Sequence, residues 1–195
     1  MQPAFLHLPG DRLSGAELSA ARLDGHVVEL GEAYAPADLV ETGALRAASL
    51  APLIAAMPEA AFAGMSAAWI HGAGDAPPHL HEVQSAVGRR LRAPASRRIL
   101  VHDPALDPED LVRIGGAAVT APERTLIDLV RWPTTVPERW DWARALVLMD
   151  PDLAARAERR LLAGPRGPGF RRAAQFLAEA TAARGADEPQ GVRTR

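Results

Sequence analysis

The pattern of apolar and polar residues is clearest between residues 115 and 131, where it predicts a strand followed by a helix. Residues 117–119 form a short apolar run after a Gly-Gly turn, as expected for a buried strand. Thr120 and Glu123 have the spacing of a capping box, in which the hydroxyl and the carboxylate each accept a hydrogen bond from the other residue's amide. Pro122 suits the first turn, because no backbone donor is needed there. We therefore predict a helix capped by Thr120.

This helix is predicted to be amphipathic. Arg124 and Asp128 are four positions apart, so we expect an ion pair between them on the solvent-facing side. The opposite side carries a broad apolar face, which is typical of a helix packed on a core. That face consists of Leu126, Ile127, Leu129 and Val130. We therefore assign the residues of this unit a structural role.

The N-terminal part of the chain predicts a helix and a two-stranded ribbon. Residues 13–23 have helical spacing, begin with a second capping box of Ser14 and Glu17, and place Leu18 and Leu23 inward. Residues 26–34 alternate and turn at a glycine, as two short strands do. Helix and ribbon in this order form the second half of a winged helix. Only a dozen residues precede the helix in this sequence, so we expect the first half to be missing.

The middle of the chain predicts a small mixed sheet with short helices. A brief strand begins at Ala60, and Ser66 is expected to cap a short helix that ends at Gly72. Residues 79–84 alternate as a strand, and residues 97–102 contain an apolar run that suggests a central strand. The segment between these two strands, residues 88–94, is predicted to be a basic turn.

Helical patterns dominate after Pro133. Residues 137–149, 152–163 and 168–184 predict three helices separated by proline and glycine. The fold class is therefore α+β: a degenerate winged-helix remnant, a small mixed β-sheet with short helices, and a C-terminal helical subdomain. The expected boundaries are 1–57 for the remnant and its linker helix at 44–57, 58–133 for the core, 134–185 for the helical subdomain and 186–195 for a flexible tail.

Composition narrows the functional classes. Hydrophobic residues make up 48% of the 195 residues, which is enough for a proper core, and cysteine is absent, which excludes a disulfide framework and a thiolate nucleophile. No leader and no run of membrane-spanning length is apparent, so we expect a soluble cytoplasmic protein. The net charge is -2, and a field of that sign does not steer polyanions. Binding to nucleic acid would therefore depend on local clusters.

Two such clusters occur, and every basic side chain in them is arginine, because the chain contains no lysine. The basic turn and the strand after it form the first cluster, whose members flank a turn, which would allow several of them to converge on one face. Two interpretations remain open for this cluster: phosphate binding, or ion pairs with Glu82 and Asp103. The candidate nucleic-acid ligands are Arg89, Arg90, Arg92, Arg97 and Arg98 in the first cluster and Arg166, Arg171 and Arg172 in the second, next to Arg159 and Arg160.

Other polar groups are weaker candidates for a functional site. His79 and His81 have the spacing of a metal pair on one face of a strand, but a third ligand is not apparent. The acidic pairs between Asp103 and Asp110 lie near prolines, and no phosphate cradle, nucleophile elbow or dinucleotide fingerprint occurs in the sequence. We therefore expect no metal, no cofactor and no catalysis. Three tryptophans, Trp132, Trp140 and Trp142, are expected to pack between subdomains rather than to stack on bases.

Four blocks of the chain, taken together, resemble a known family. They are residues 66–72 (SAAWIHG), 110–116 (DLVRIGG), 119–129 (VTAPERTLIDL) and 165–172 (PRGPGFRR). Their order and spacing are similar to those of the actinobacterial AbiEi-type antitoxins of type IV toxin–antitoxin systems. Residues 13–34 are similar to the end of that family's winged helix, although Glu29 and Glu32 are acidic where the family's wing is basic.

The resemblance implies a non-enzymatic transcriptional regulator or antitoxin-like protein. Its partners would be double-stranded DNA and a cognate toxin or neighbouring gene product. Two alternatives to this function remain open. The acidic ribbon and the negative net charge fit a protein-interaction module that has lost DNA binding, and the longer members of the family suggest a non-catalytic remnant of a nuclease-linked lineage.

Overall fold

The computed structural model describes residues 5–87, 89–91, 96–103, 106–132 and 136–187, beginning with a helix and a ribbon. Helix α1 is Gly15–Leu23, and the ribbon consists of β1 (Val27–Leu30) and β2 (Ala33–Pro36), paired antiparallel. The predicted capping box of Ser14 and Glu17 is confirmed. Leu23, however, is 81% exposed, so its inward placement was wrong. It lies five positions after the buried Leu18, which puts it on the far side of a helix of 3.6 residues per turn.

A second helix and a short strand lead into the sheet. Helix α2 is Gly43–Ile54, contains Pro52, and ends earlier than the predicted residue 57. Strand β3 is Ala60–Phe62, and α3 is Gly64–Ile70. The predicted cap for α3 was wrong, because Ala63 is the N-cap and Ser66 lies inside the helix. The buried Ser66 hydroxyl accepts a hydrogen bond from the amide of Glu82 at 3.0 Å instead.

The sheet has five strands in the order β5-β4-β3-β7-β6. The remaining strands are β4 (His81–Ser85), β5 (Ile99–His102), β6 (Leu111–Ile114) and β7 (Ala117–Thr120), with a 3-10 turn at Pro108–Asp110 before β6. Pairs β3/β4 and β6/β7 are antiparallel, whereas β4/β5 and β3/β7 are parallel. The predicted mixed sheet is confirmed.

Strand β5 lies at an edge of the sheet, so its predicted central position was wrong. Its apolar run has two environments. Ile99 and Val101 pack against the core, whereas Leu100 on the other face is 37% exposed. A continuous apolar run of three residues is too short to distinguish an edge strand from a central one.

Helix α4 is Pro122–Arg131, as predicted, but it begins differently. Ala121 is its N-cap, and the Thr120 hydroxyl contacts the Thr125 hydroxyl at 2.7 Å, so the second capping box was wrong. The Glu123 carboxylate accepts a hydrogen bond from Arg156 Nε at 2.6 Å. Contacts with residues distant in the chain therefore replace the local cap.

The predicted pair of Arg124 and Asp128 is present at 2.8 Å, but it is largely covered rather than on the solvent side, with side-chain exposures of 15% and 5%. The Arg124 guanidinium also donates to Asp110 Oδ2 at 2.7 Å, which places the pair under the 3-10 turn before β6. A pattern of four-residue spacing predicts that two side chains can meet, but it does not reveal which neighbour covers them.

Three helices complete the chain and pack with α3 and α4 around a second core. They are α5 (Glu138–Met149), α6 (Leu153–Ala163) and α7 (Phe170–Asp187). Trp142 packs against both cores, which agrees with the predicted packing role. The α+β fold class is confirmed. The predicted tail lies, from residue 188 onward, outside the described residues. None of the described helices is both long and apolar enough to cross a membrane.

Candidate functional site

The topology divides the first arginine cluster between two ends of the sheet. Because β4 and β5 are parallel, a hairpin turn cannot join them. Arg89 and Arg90 follow the carboxyl end of β4, whereas Arg97 and Arg98 precede the amino end of β5. The two strands therefore do not form the hairpin that a single basic turn between them would require, and Arg89 and Arg90 lie at the opposite end of the strand pair from Arg97 and Arg98. Arg92 lies outside the described residues.

Most of these arginines already contact a carboxylate. Arg89 Nε donates to Glu59 Oε2 at 3.0 Å, and this hydrogen bond holds the pKa of the Glu59 carboxyl below its ordinary value. Arg90 contacts Asp103 at 3.2 Å. That contact is one of the two ion pairs considered for the cluster, whereas Glu82 pairs elsewhere. Ion pairing leaves these side chains less available to a phosphate.

Arg98 and Arg97 differ from each other. Arg98 Nη1 donates to Glu32 Oε2 at 2.7 Å, so the acidic ribbon contacts the candidate site directly. The side chain of Glu32 is 20% exposed and that of Arg98 is 54% exposed. Arg97 is exposed and has no carboxylate partner among the described residues.

The second cluster surrounds the connection between α6 and α7. Arg171 and Arg172 lie in the first turn of α7, are exposed, and pair with no carboxylate of the described chain. The guanidinium of Arg166 lies 5.7 Å from the Phe170 ring centroid, a cation–π contact that leaves its N–H groups free for a ligand. Arg160 behaves differently, because it donates to the buried Asp110 at 2.5 Å. This surface thus holds unpaired cations beside a structural one.

A buried polar cluster that the sequence did not predict joins the sheet to α5. Arg139 of α5 is 3% exposed and pairs with Glu82 of β4, which is fully buried. The other carboxylate oxygen of Glu82 accepts the amide of Met65, at the start of α3, at 2.9 Å. Neither charge was expected to be buried, because both residue types are normally exposed unless paired. The two are 57 positions apart in the chain, so local spacing gives no sign of the pair.

His102 and Trp132 border this cluster. Their rings stack with centroids 3.5 Å apart, and the Arg139 guanidinium lies 5.0 Å from the Trp132 ring. His102 Nε2 is 3.6 Å from Glu82 Oε1, yet burial lowers the pKa of His102 to about 4. The charge of Glu82 is already balanced by Arg139, so the buried imidazole remains neutral. Trp132 therefore supports packing rather than base stacking.

Acidic residues converge in a cleft of about 400 Å³ between the 3-10 turn, α4 and α6. Asp110 and Asp128 are buried there, and Arg124 bridges them. Desolvation raises the pKa of Asp128 to about 6, although Arg124 opposes the shift. Because arginines contact both buried carboxylates, the cleft resembles an ion-pair network more than an acid–base pair.

The suggested histidine pair is not formed. His79 is exposed and precedes β4, whereas His81 is 2% exposed and faces the Ser66 hydroxyl at 3.3 Å. Burial lowers the pKa of His81 to about 4. Across the described ranges, no group of three or more histidine and acidic side chains is placed to hold a metal ion.

Comparisons with known proteins place these observations in a family. A search of curated proteins gives no match. Among solved structures, the chain is similar to the RV2827C protein from Mycobacterium tuberculosis, with 21% sequence identity and a TM-score of 0.48 over 90% of this chain and 68% of that one. The family model of the AbiEi antitoxin C-terminal domain matches residues 59–181, which is more than half of the chain. The resemblance carried by the four sequence blocks is thereby confirmed, and the chain belongs to the AbiEi antitoxin family.

Proposed function

We propose that the protein is a non-enzymatic transcriptional regulator of a toxin–antitoxin system and that it binds double-stranded DNA through arginines. The observation that carries this proposal is the set of exposed arginines around the α6–α7 connection that contact no carboxylate in the described chain. Arginine is well suited to this task, since its planar fork matches a phosphate group. The ligands in that region would be Arg166, Arg171 and Arg172.

The position of Arg171 and Arg172 also supports the proposal. Two cations in the first turn of a helix face the positive end of its dipole, an arrangement that is unfavourable without a nearby anion. A DNA phosphate would supply that anion. From the first cluster, Arg97 would join them without losing an existing partner, whereas Arg89, Arg90 and Arg98 would first have to leave Glu59, Asp103 and Glu32.

An electrophoretic shift assay on the DNA upstream of the chain's own gene tests the proposal. We expect binding at low salt that weakens steeply as salt is added. The double variant Arg171→Gln/Arg172→Gln should bind more weakly and lower the salt slope by about two, because each lost phosphate contact removes about one unit. Arg144→Gln is the matched control, since Arg144 is a surface arginine of the same subdomain that pairs with Asp141. No binding by the wild-type chain at low salt would refute the proposal.

The second candidate is a protein-interaction module that has lost DNA binding. The observation that favours it is the contact between Glu32 of the acidic ribbon and Arg98, together with the carboxylates that hold Arg89 and Arg90. Co-purification with the neighbouring gene product, from a sample free of nucleic acid, would support this candidate. Failure of that product to bind while DNA binds would favour the regulator.

We also propose that the protein has no catalytic activity. The buried carboxylates Glu82, Asp110 and Asp128 are each bound by an arginine, which favours structure over acid–base chemistry. A nuclease that is still active is the competing assignment, and its carboxylates would be those of the acidic cleft. Incubation of plasmid DNA with the protein and Mg²⁺ distinguishes the two. Cleavage by the wild-type chain that Asp110→Asn abolishes would show an enzyme.

A further inference from the structure

A groove between α2 and the β6–β7 hairpin combines an apolar lining with one charged side chain. Its volume is about 550 Å³, which is within the range of roughly 300–1,000 Å³ typical of small-molecule sites. Ala51 and Ala55 line it from α2, and Ala60 and Ala117 line it from the sheet. Because most of these side chains are short, the two walls enclose space instead of filling it.

The hairpin turn keeps the groove open. Gly115 and Gly116 have φ of 56° and 86°, a conformation that other residues rarely adopt. A Cβ atom at Gly115 would lie 2.3 Å from the carbonyl oxygen of Ala44, so the turn is pressed against the start of α2. At Gly116 a Cβ atom would meet nothing within 4 Å. The turn is thus fixed on one side and faces free space on the other.

Arg113 is the charged residue of the groove. It is exposed, and its Nη1 donates to the carbonyl of Gly116 at 3.0 Å, which holds the guanidinium beside the turn. A guanidinium carries five N–H donors, so others remain for a ligand. Within the described ranges Arg113 forms no ion pair with a carboxylate. An anchored cation next to an apolar groove fits a ligand that has an anionic head and an apolar body.

We propose that this groove binds an aliphatic monocarboxylate. The hydrocarbon chain would lie against Ala51, Ala55 and Met57, and the carboxylate would accept hydrogen bonds from Arg113. The site is independent of the proposed DNA contacts, because none of its lining residues belongs to either arginine cluster.

NMR titration with octanoate, and with 1-octanol as the uncharged analogue, tests this site. We expect saturable shifts of the Gly116 amide and the Met57 methyl group with octanoate. Arg113→Gln should weaken octanoate binding about tenfold, as the loss of one charge-assisted hydrogen bond does, and leave 1-octanol binding unchanged. Ala55→Phe should weaken both ligands, because the ring occupies the groove. Ala55 is exposed at the end of α2, so this variant should fold.

Arg97→Gln is the control for charge, since Arg97 is an exposed arginine outside the groove. It should bind octanoate like the wild type. The proposal is overturned if octanoate causes no saturable shifts at Gly116 and Met57, if Arg113→Gln binds it as tightly as the wild type does, or if Ala55→Phe has no effect.

Discussion

The arginines at the junction between the sheet and the helices differ from those around the α6–α7 connection in what surrounds them. Arg139 is almost completely buried against Glu82, and Arg124 is held between Asp110 and Asp128. Arg171 and Arg172 are exposed and contact no carboxylate of the described chain. A chain without lysine therefore uses one residue type both to join its sheet to its C-terminal helices and to present positive charge.

This difference shows that the role of an arginine is indicated by the group that it contacts and not by the residue type. A buried carboxylate fixes its arginine, since removing either member leaves the other charge without water or a counterion. An exposed pair is worth little, because water competes with both members. Substitutions in the two regions should therefore differ greatly in their effect on stability, and three experiments test this comparison.

The largest effect is expected from Arg139→Met. This change leaves the Glu82 carboxylate buried without its cation, so the free energy of unfolding should fall by about 3–5 kcal/mol. Urea denaturation at pH 7 measures it. Glu82→Gln in the same chain removes the uncompensated charge and should restore part of the loss. If Arg139→Met costs less than about 1 kcal/mol, the usual worth of an exposed pair, the junction arginines do not differ from the surface ones.

A smaller effect on the free energy of unfolding is expected from acidic pH, through His102. The pKa of His102 is lowered to about 4 in the folded protein, whereas an unfolded histidine titrates near 6.5. Between these values only the unfolded state binds the proton, so this histidine makes stability fall as the pH drops from 6.5 to 4, by up to about 3 kcal/mol. The difference in unfolding free energy between the wild type and His102→Gln should shrink across that window.

Comparison with the variant is necessary because Asp128 acts in the opposite direction. Its pKa is raised to about 6, so its protonation in the folded state adds stability as the pH falls below 6. Asp128 is present in both chains, so its contribution cancels in the difference apart from its electrostatic interaction with His102. A difference that stays constant between pH 7 and pH 4 would show that His102 titrates normally.

The smallest effect on stability is expected from Glu32→Gln, which turns a paired surface arginine into a free one. The pair with Arg98 is partly exposed, so the loss should be within about 1 kcal/mol. Binding to DNA at low salt should become tighter, because Arg98 is released. Glu29→Gln is the matched control: Glu29 lies on the same ribbon, pairs with Arg22, and its substitution changes the net charge equally. Equal effects of both variants would mean that the net charge, and not Arg98, is responsible.

The sequence predicted the elements of the fold better than their contacts. The capping box at Ser14 and the helix over 122–131 follow from local chemistry, and both are observed. The cap at Thr120 had an equally good local signal, but Glu123 contacts Arg156, which is 33 positions away. Local patterns indicate which conformations a segment can adopt. Contacts with residues distant in the chain determine which of them it adopts.

The candidate site was harder to predict, for a topological reason. The order of residues places Arg89 and Arg98 close together, but strand direction separates them, and a short apolar run does not reveal strand direction. Their carboxylate partners, Glu59 and Glu32, precede Arg89 and Arg98 by 30 and 66 positions in the chain. The unpaired state of Arg171 and Arg172 likewise became visible only once α6 and α7 were placed.

The contacts of the Glu82 carboxylate determine which elements should unfold together in local unfolding. One oxygen accepts the amide of Met65 and the other pairs with Arg139, so a single side chain of β4 holds the start of α3 and the helix α5. The approach is close: a Cβ atom on Gly64 would lie 1.5 Å from that carboxylate, and φ of 52° there also favours glycine. In amide hydrogen exchange, these three elements should therefore lose protection as one cooperative unit, although they are far apart along the chain.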